Sequence, residues 1–129
     1  MSIRPADLLL CAQRAMSIND AGEAEFRACI SRAYYAAYHD SKSWHQQLPA
    51  PGSVGTTTHH MGVHETLVLQ LQNPTTIHDE LKLMSRRRGY LLKDLRNRRN
   101  TADYELDSSV GDHMASQAVS DSEAILKIV

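Results

Sequence analysis

The chain has 129 residues, and its 14 Lys and Arg nearly balance its 15 Asp and Glu, for a formal net charge of −1. This length predicts one domain, residues 1–129, that buries roughly two-thirds of the surface its unfolded form exposes. No apolar run approaches the roughly 20 residues that span a bilayer, and the N-terminus does not resemble a signal peptide. We therefore expect a cytoplasmic protein that does not engage a membrane.

Apolar residues recur at helical spacing along most of the chain and predict α-helices rather than strands. A first helix is expected from Pro5 to about Asn19 and a second from Glu23 to about Leu48, where prolines end it. A loop at residues 49–62, a third helix at 63–71 and a last helix beyond a polar turn at 105–109 complete the pattern. The expected core of this all-α bundle contains Phe26, Ile30, Ala33, Leu81, Leu91 and Leu95.

The middle of the second helix mixes alanines with tyrosines. Tyr34, Tyr35 and Tyr38 are expected to pack in the core, where each hydroxyl needs a hydrogen-bond partner. Cys11 and Cys29 fall in helical segments, and we expect buried free thiols rather than a disulfide.

The segment Ile77–Tyr104 carries the longest helical pattern and eight of the 14 Lys and Arg residues. Such a concentration of positive charge can hold phosphate groups, although most charge runs are solvated helix faces. Arg88 and Arg98 interrupt the apolar stripe of this helix. Because buried cations need partners, we expect both to find them across a homodimer interface.

Polar residues mark the expected starts of the last two helices. Acidic residues at positions 79 and 80 suit the positive end of the basic helix. The expected N-caps are Thr75 or Thr76 for the basic helix and Asp107 or Ser108 for the last helix.

Four short motifs arrive in an order that is typical of one protein family. They are Ser31–His39 (SRAYYAAYH), His60–His64 (HMGVH), Leu95–Arg99 and Ala102–Tyr104 (ADY). Together they resemble the bacterial HEPN-domain family (higher eukaryotes and prokaryotes nucleotide-binding), in particular its small single-domain branch. The resemblance implies an up-and-down bundle of four or five helices, commonly paired into a homodimer. It also implies a toxin–antitoxin or phage-defence system, a nucleotidyltransferase partner, and in many members metal-independent ribonuclease activity.

The sequence departs from the ribonuclease pattern of that family at one position. The resemblance implies an Arg followed after four to six residues by a His in the ribonucleases of the family, whereas counting forward from Arg96, Arg98 or Arg99 reaches Asp103 and no histidine. Metal-free RNA cleavage needs a base, an acid and cations that stabilise the charge developing on phosphorus. Arginine supplies only the cation, and an ionised aspartate is a poor acid at neutral pH.

The candidate catalytic residues are therefore Arg96, Arg99 and Asp103, and the chain is at most a metal-independent endoribonuclease. Arg99 and Asp103 are four residues apart on a helix, so an ion pair worth under about half a kcal/mol when exposed is the structural alternative. The candidate residues for RNA or nucleotide binding are Arg88, Asn97, Arg98 and Tyr104.

Three histidines, His59, His60 and His64, lie close together in the sequence, and the last two have the spacing of a zinc-binding helix. Gly62 disrupts that helix, and no acidic or cysteine ligand has useful spacing. We expect neither a metal nor a cofactor.

Two functions follow from these residues. The first is a HEPN-type component of a toxin–antitoxin or phage-defence system that binds RNA or a nucleotide, as a weak or degenerate ribonuclease. The second is a non-catalytic dimeric helical adaptor that binds a protein partner such as a nucleotidyltransferase.

Overall fold

The computed structural model describes residues 3–56 and 60–129. This part of the chain contains five α-helices and no strand, so the all-α class is confirmed. None of the helices found there has both the length and the apolar character needed to cross a bilayer. The helices are α1 (Pro5–Met16), α2 (Glu23–Gln46), α3 (Val63–Gln72), α4 (Asp79–Tyr104) and α5 (Asp112–Leu126).

Helix α2 packs against α1, α4 and α5, while α3 lies mainly on α4. Arg27, near the start of α2, donates to the carbonyl of Ala102 at the end of α4, so these two helices run antiparallel. Cys29 contacts the carbonyl of Ala115, and Ser122 donates to the carbonyl of Ala33, so α5 runs in the direction of α2. The predicted helical bundle is confirmed, with α2 at its centre.

The core contains most of the residues expected there. Ile30, Ala33 and Leu95 are fully buried, and Phe26 and Leu91 are partly buried against them. The prediction for Leu81 is wrong, because this residue lies in the first turn of α4 and is only partly buried, outside the core cluster.

The predicted caps of α4 are wrong. The helix begins after His78, because the hydroxyl of Thr76 accepts a hydrogen bond from the His78 amide and that of Thr75 donates to the carbonyl of Pro51. Acidic residues do occupy the first turn of α4, at positions 79 and 80 as expected.

The predicted caps of α5, Asp107 and Ser108, are also wrong, because the helix begins after Gly111. Arg27 binds the carbonyl of Ser108, and the carboxylate of Glu23 accepts the amide of Val110. These contacts hold residues 108–110 against the start of α2, and α5 begins only after them.

The two cysteines are free and differ in environment. Cys29 is buried, as predicted, and burial raises the pKa of its thiol to about 11. Cys11 is exposed on the outer face of α1, so the prediction of a buried thiol there is wrong.

Gly89 allows α3 and α4 to approach closely. A Cβ atom at this position would lie 2.8 Å from the backbone nitrogen of Gln72, closer than real Cβ contacts allow. One turn earlier, the hydroxyl of Ser85 donates to the carbonyl of Leu71 at 2.6 Å. The end of α3 is therefore fixed directly on the backbone of α4.

The two arginines that interrupt the apolar stripe find partners within the chain. Arg88 has a side chain only 2% exposed, and its guanidinium donates to the Asp40 carboxylate at 2.8 Å and the Ile128 carbonyl at 2.6 Å. Arg98 pairs with Asp121 at 2.6 Å. The prediction that both need partners across a dimer interface is wrong, since each cation is neutralised inside the protein.

Candidate functional site

Arg99 lies in a cage of tyrosines between α2 and α4. Its Nε donates to Asp103 at 2.9 Å, and its Nη2 donates to the hydroxyls of Tyr35 at 2.7 Å and Tyr104 at 3.0 Å. The guanidinium carbon lies 5.0–5.6 Å from the ring centroids of Tyr104, Tyr35 and Tyr34, within cation–π range. The hydrogen bonds that Arg99 forms with residues 3–56 and 60–129 use Nε and Nη2, and its side chain is 12% exposed.

Asp103 holds this guanidinium in place. The ion pair that the i, i+4 spacing predicted is present, and the same carboxylate oxygen accepts the hydroxyl of Ser31 at 3.2 Å. With both donors on one oxygen, the Asp103 carboxylate fixes the position of the Arg99 guanidinium.

His64, in the first turn of α3, brings an imidazole to the same cluster. Its Nδ1 lies 2.6 Å from the hydroxyl of Tyr34, and its ring lies 4.3 Å from that of Tyr38. Burial lowers the pKa of His64, and the charges of Arg99 and Arg96 lower it further. The imidazole is therefore neutral near pH 7 and can accept a proton.

Tyr34 and Tyr38 are buried, as predicted for core residues, while Tyr35 is partly buried. Burial raises the pKa of Tyr34 and that of Tyr38, so both phenols stay protonated. The hydroxyl of Tyr34 thus serves as a fixed hydrogen-bond partner that orients the imidazole of His64.

His39 is exposed at the edge of this cluster. Its ring centroid lies 6.2 Å from that of Tyr35 and 5.2 Å from that of Tyr38, and its charge contributes to the lowered pKa of His64. Sequence reasoning assigned no role to either histidine, because each lies far from the arginines along the chain. The HMGVH and SRAYYAAYH motifs were the only signals that could have indicated them.

Of the other candidate residues from the sequence, the structure places one near the cluster and three away from it. Arg96 is partly exposed, and its charge contributes to the lowered pKa of His64 and offsets part of the rise that burial causes in the pKa of Tyr34. Asn97 is exposed on the outer face of α4. Arg98 faces α5 in its ion pair with Asp121, and the buried Arg88 cannot reach a ligand at this site.

The histidine cluster lies partly outside the described residues, because His59 is not among them. In the ranges 3–56 and 60–129, no three His, Cys, Asp or Glu side chains are grouped so as to hold a metal ion. His64 instead forms its hydrogen bond with Tyr34.

Comparisons of this chain with protein-family models, with curated proteins and with solved structures found no match. The chemistry of the site therefore rests on its geometry. The cluster combines a positioned guanidinium, a second arginine, a neutral imidazole and an exposed one. Such a set can bind a phosphate group and exchange protons beside it.

Proposed function

We propose that this chain is a cytoplasmic HEPN-type component of a toxin–antitoxin or phage-defence system that binds RNA or nucleotide phosphates through Arg96 and Arg99. The resemblance of SRAYYAAYH and the ADY motif to the HEPN family supports this assignment. The positions of the two motifs in the fold also support the assignment, because tyrosines from both surround the guanidinium of Arg99.

The observation that carries the proposal is that one side chain, Tyr34, joins a cation to a base. Its ring faces the guanidinium of Arg99 at 5.6 Å, while its hydroxyl lies 2.6 Å from Nδ1 of His64. When Nδ1 donates to that hydroxyl, Nε2 carries the lone pair that takes a proton. We therefore propose slow, metal-independent endoribonuclease activity in which His64 deprotonates the 2′-hydroxyl and the two arginines stabilise the phosphorane charge.

Replacing Arg96 or Arg99 with alanine is expected to lower affinity for single-stranded RNA about tenfold or more, because each removes a charge-assisted phosphate contact. Each variant is also expected to flatten the slope of log affinity against log salt by about 0.7. Fluorescence anisotropy with a labelled oligonucleotide measures both quantities. Arg14→Ala, at an exposed arginine near the end of α1, is the matched control and should leave the affinity and slope unchanged. Equal affinity of all four proteins at low salt would contradict the proposal.

The adaptor function has its own supporting observation. Leu83 and Tyr90 lie seven residues apart on one face of α4, and they are 68% and 59% exposed. We infer that these two side chains contact a protein partner, either a second copy of the chain or a nucleotidyltransferase.

We propose that this face of α4 mediates a homodimer. The mass from light scattering at micromolar concentration should be twice the 14.4 kDa of one chain, and Leu83→Glu should halve it. Wild-type protein that elutes as a monomer would exclude this interface.

A further inference from the structure

We infer that His39 is the second proton-transfer group of the site and that it protonates the leaving oxygen when RNA is cleaved. This inference rests on the proposed ribonuclease function and assigns the acid that this function lacks. Arg96 and Arg99 cannot give up a proton, because arginine stays charged in proteins. His64 is already assigned the role of base.

The two imidazoles share the same two tyrosine neighbours. The ring of His64 lies 6.1 Å from that of Tyr35 and 4.3 Å from that of Tyr38. The ring of His39 lies 6.2 Å and 5.2 Å from the same two rings. His64 extends from α3 and His39 from α2, so the two groups approach this pair of tyrosines from different helices.

Their environments differ in the way that an acid and a base require. His64 is partly buried beside Arg99, and its lowered pKa keeps it neutral. His39 is exposed to solvent at the edge of the cluster. Two titrating groups of one residue type in unlike surroundings are a recurrent solution for acid–base catalysis near neutral pH.

Other polar groups at the site are less suited to this role. Asp103 is engaged by Arg99 and Ser31, and burial raises the pKa of Tyr34 so that it holds its proton. The hydroxyl of Tyr104 accepts a hydrogen bond from Arg99, and a phenol is a much weaker acid than imidazolium.

The reaction balances with these two groups alone. The neutral imidazole of His64 takes the proton of the 2′-hydroxyl while the 2′-oxygen forms a bond to phosphorus. The bond from phosphorus to the 5′-oxygen breaks, and the imidazolium of His39 gives its proton to that oxygen. The products are a 2′,3′-cyclic phosphate and a free 5′-hydroxyl, with His64 protonated and His39 neutral until they exchange protons with water.

Two substrates that differ only in their need for an acid test this assignment. Uridylyl-(3′,5′)-adenosine has an alkoxide leaving group that must be protonated, whereas uridine 3′-(p-nitrophenyl phosphate) releases a phenolate that leaves without a proton. His39→Ala is expected to slow cleavage of the dinucleotide about a hundredfold or more and to change cleavage of the activated ester less than about threefold. His64→Ala should slow both, because both need the base.

His113→Ala, at an exposed histidine in the first turn of α5, is the matched control and should cleave both substrates as the wild type does. Equal losses on both substrates with His39→Ala, or no loss on either, would overturn the role of His39 while leaving the ribonuclease function standing. A wild type that cleaves neither substrate would overturn the ribonuclease function, and the assignment of His39 with it.

Discussion

Replacing Arg88 with alanine is expected to lower the free energy of unfolding by about 3–5 kcal/mol, because it removes the cation from a buried network. The guanidinium is bonded to Asp40, to the hydroxyl of Ser41 at 3.2 Å and to the carbonyl of Ile128, and it lies 5.0 Å from the ring of Trp44. Alanine would leave these acceptors unpaired and a cavity between α2, α4 and the end of the chain. Urea unfolding followed by circular dichroism measures the loss.

Two neighbours on α4 provide matched controls. Arg86 and Arg87 are exposed, and their replacement by alanine is expected to change stability by less than about 0.5 kcal/mol. Asp40→Ala should also be clearly destabilising, because it leaves the Arg88 guanidinium, which is only 2% exposed, without its carboxylate partner. A loss below about 1 kcal/mol for Arg88→Ala would show that the buried network contributes little to stability.

His64→Ala is expected to lower the rate of RNA cleavage by about a hundredfold to ten thousandfold, the usual effect of removing a general base. The binding of RNA should change little, since the arginines remain. Single-turnover cleavage of a labelled oligonucleotide separates the two effects. His60→Ala replaces an exposed histidine of the same HMGVH motif and should leave the rate unchanged.

The acid side of the pH profile should report the lowered pKa of His64. Burial, Arg99, Arg96 and His39 all disfavour its protonated form, so the pKa in the folded protein lies below the ordinary value of 6.5. The rate should therefore be retained as the pH falls through 6.5 and decline only at a lower pH, when the imidazole becomes charged. If the rate instead declined before the falling pH reached 6.5, His64 would not be the base.

The parts of the fold that depend on local patterns could be predicted from the sequence. Helical spacing identifies all five helices, and the i, i+4 relation predicts the pair of Arg99 and Asp103. The predictions of the helix starts failed, because hydroxyls and carboxylates can bind amides of the loop instead of capping the helix, as Thr76 does. The sequence also shows that Arg88 and Arg98 interrupt the apolar stripe of α4. It does not show that Asp40, on another helix, neutralises Arg88.

The candidate site was harder to predict because its chemistry comes from three helices. Arg96, Arg99, Asp103 and Tyr104 lie on α4, where a motif read along one chain segment can find them. The imidazole of His64 reaches them only because α3 packs on α4, and no spacing in the sequence encodes that contact. A missing histidine in a linear motif therefore does not mean a missing imidazole in the folded protein.

The close approach at Gly89 links the packing of α3 on α4 to the position of His64. The end of α3 contacts α4 at this glycine, where a Cβ would collide with the backbone of Gln72, and His64 lies at the other end of the same short helix. Because the collision is with backbone, a side chain at position 89 would push the end of α3 away from α4. We expect such a substitution to displace the His64 imidazole from the hydroxyl of Tyr34, although position 89 is outside the site.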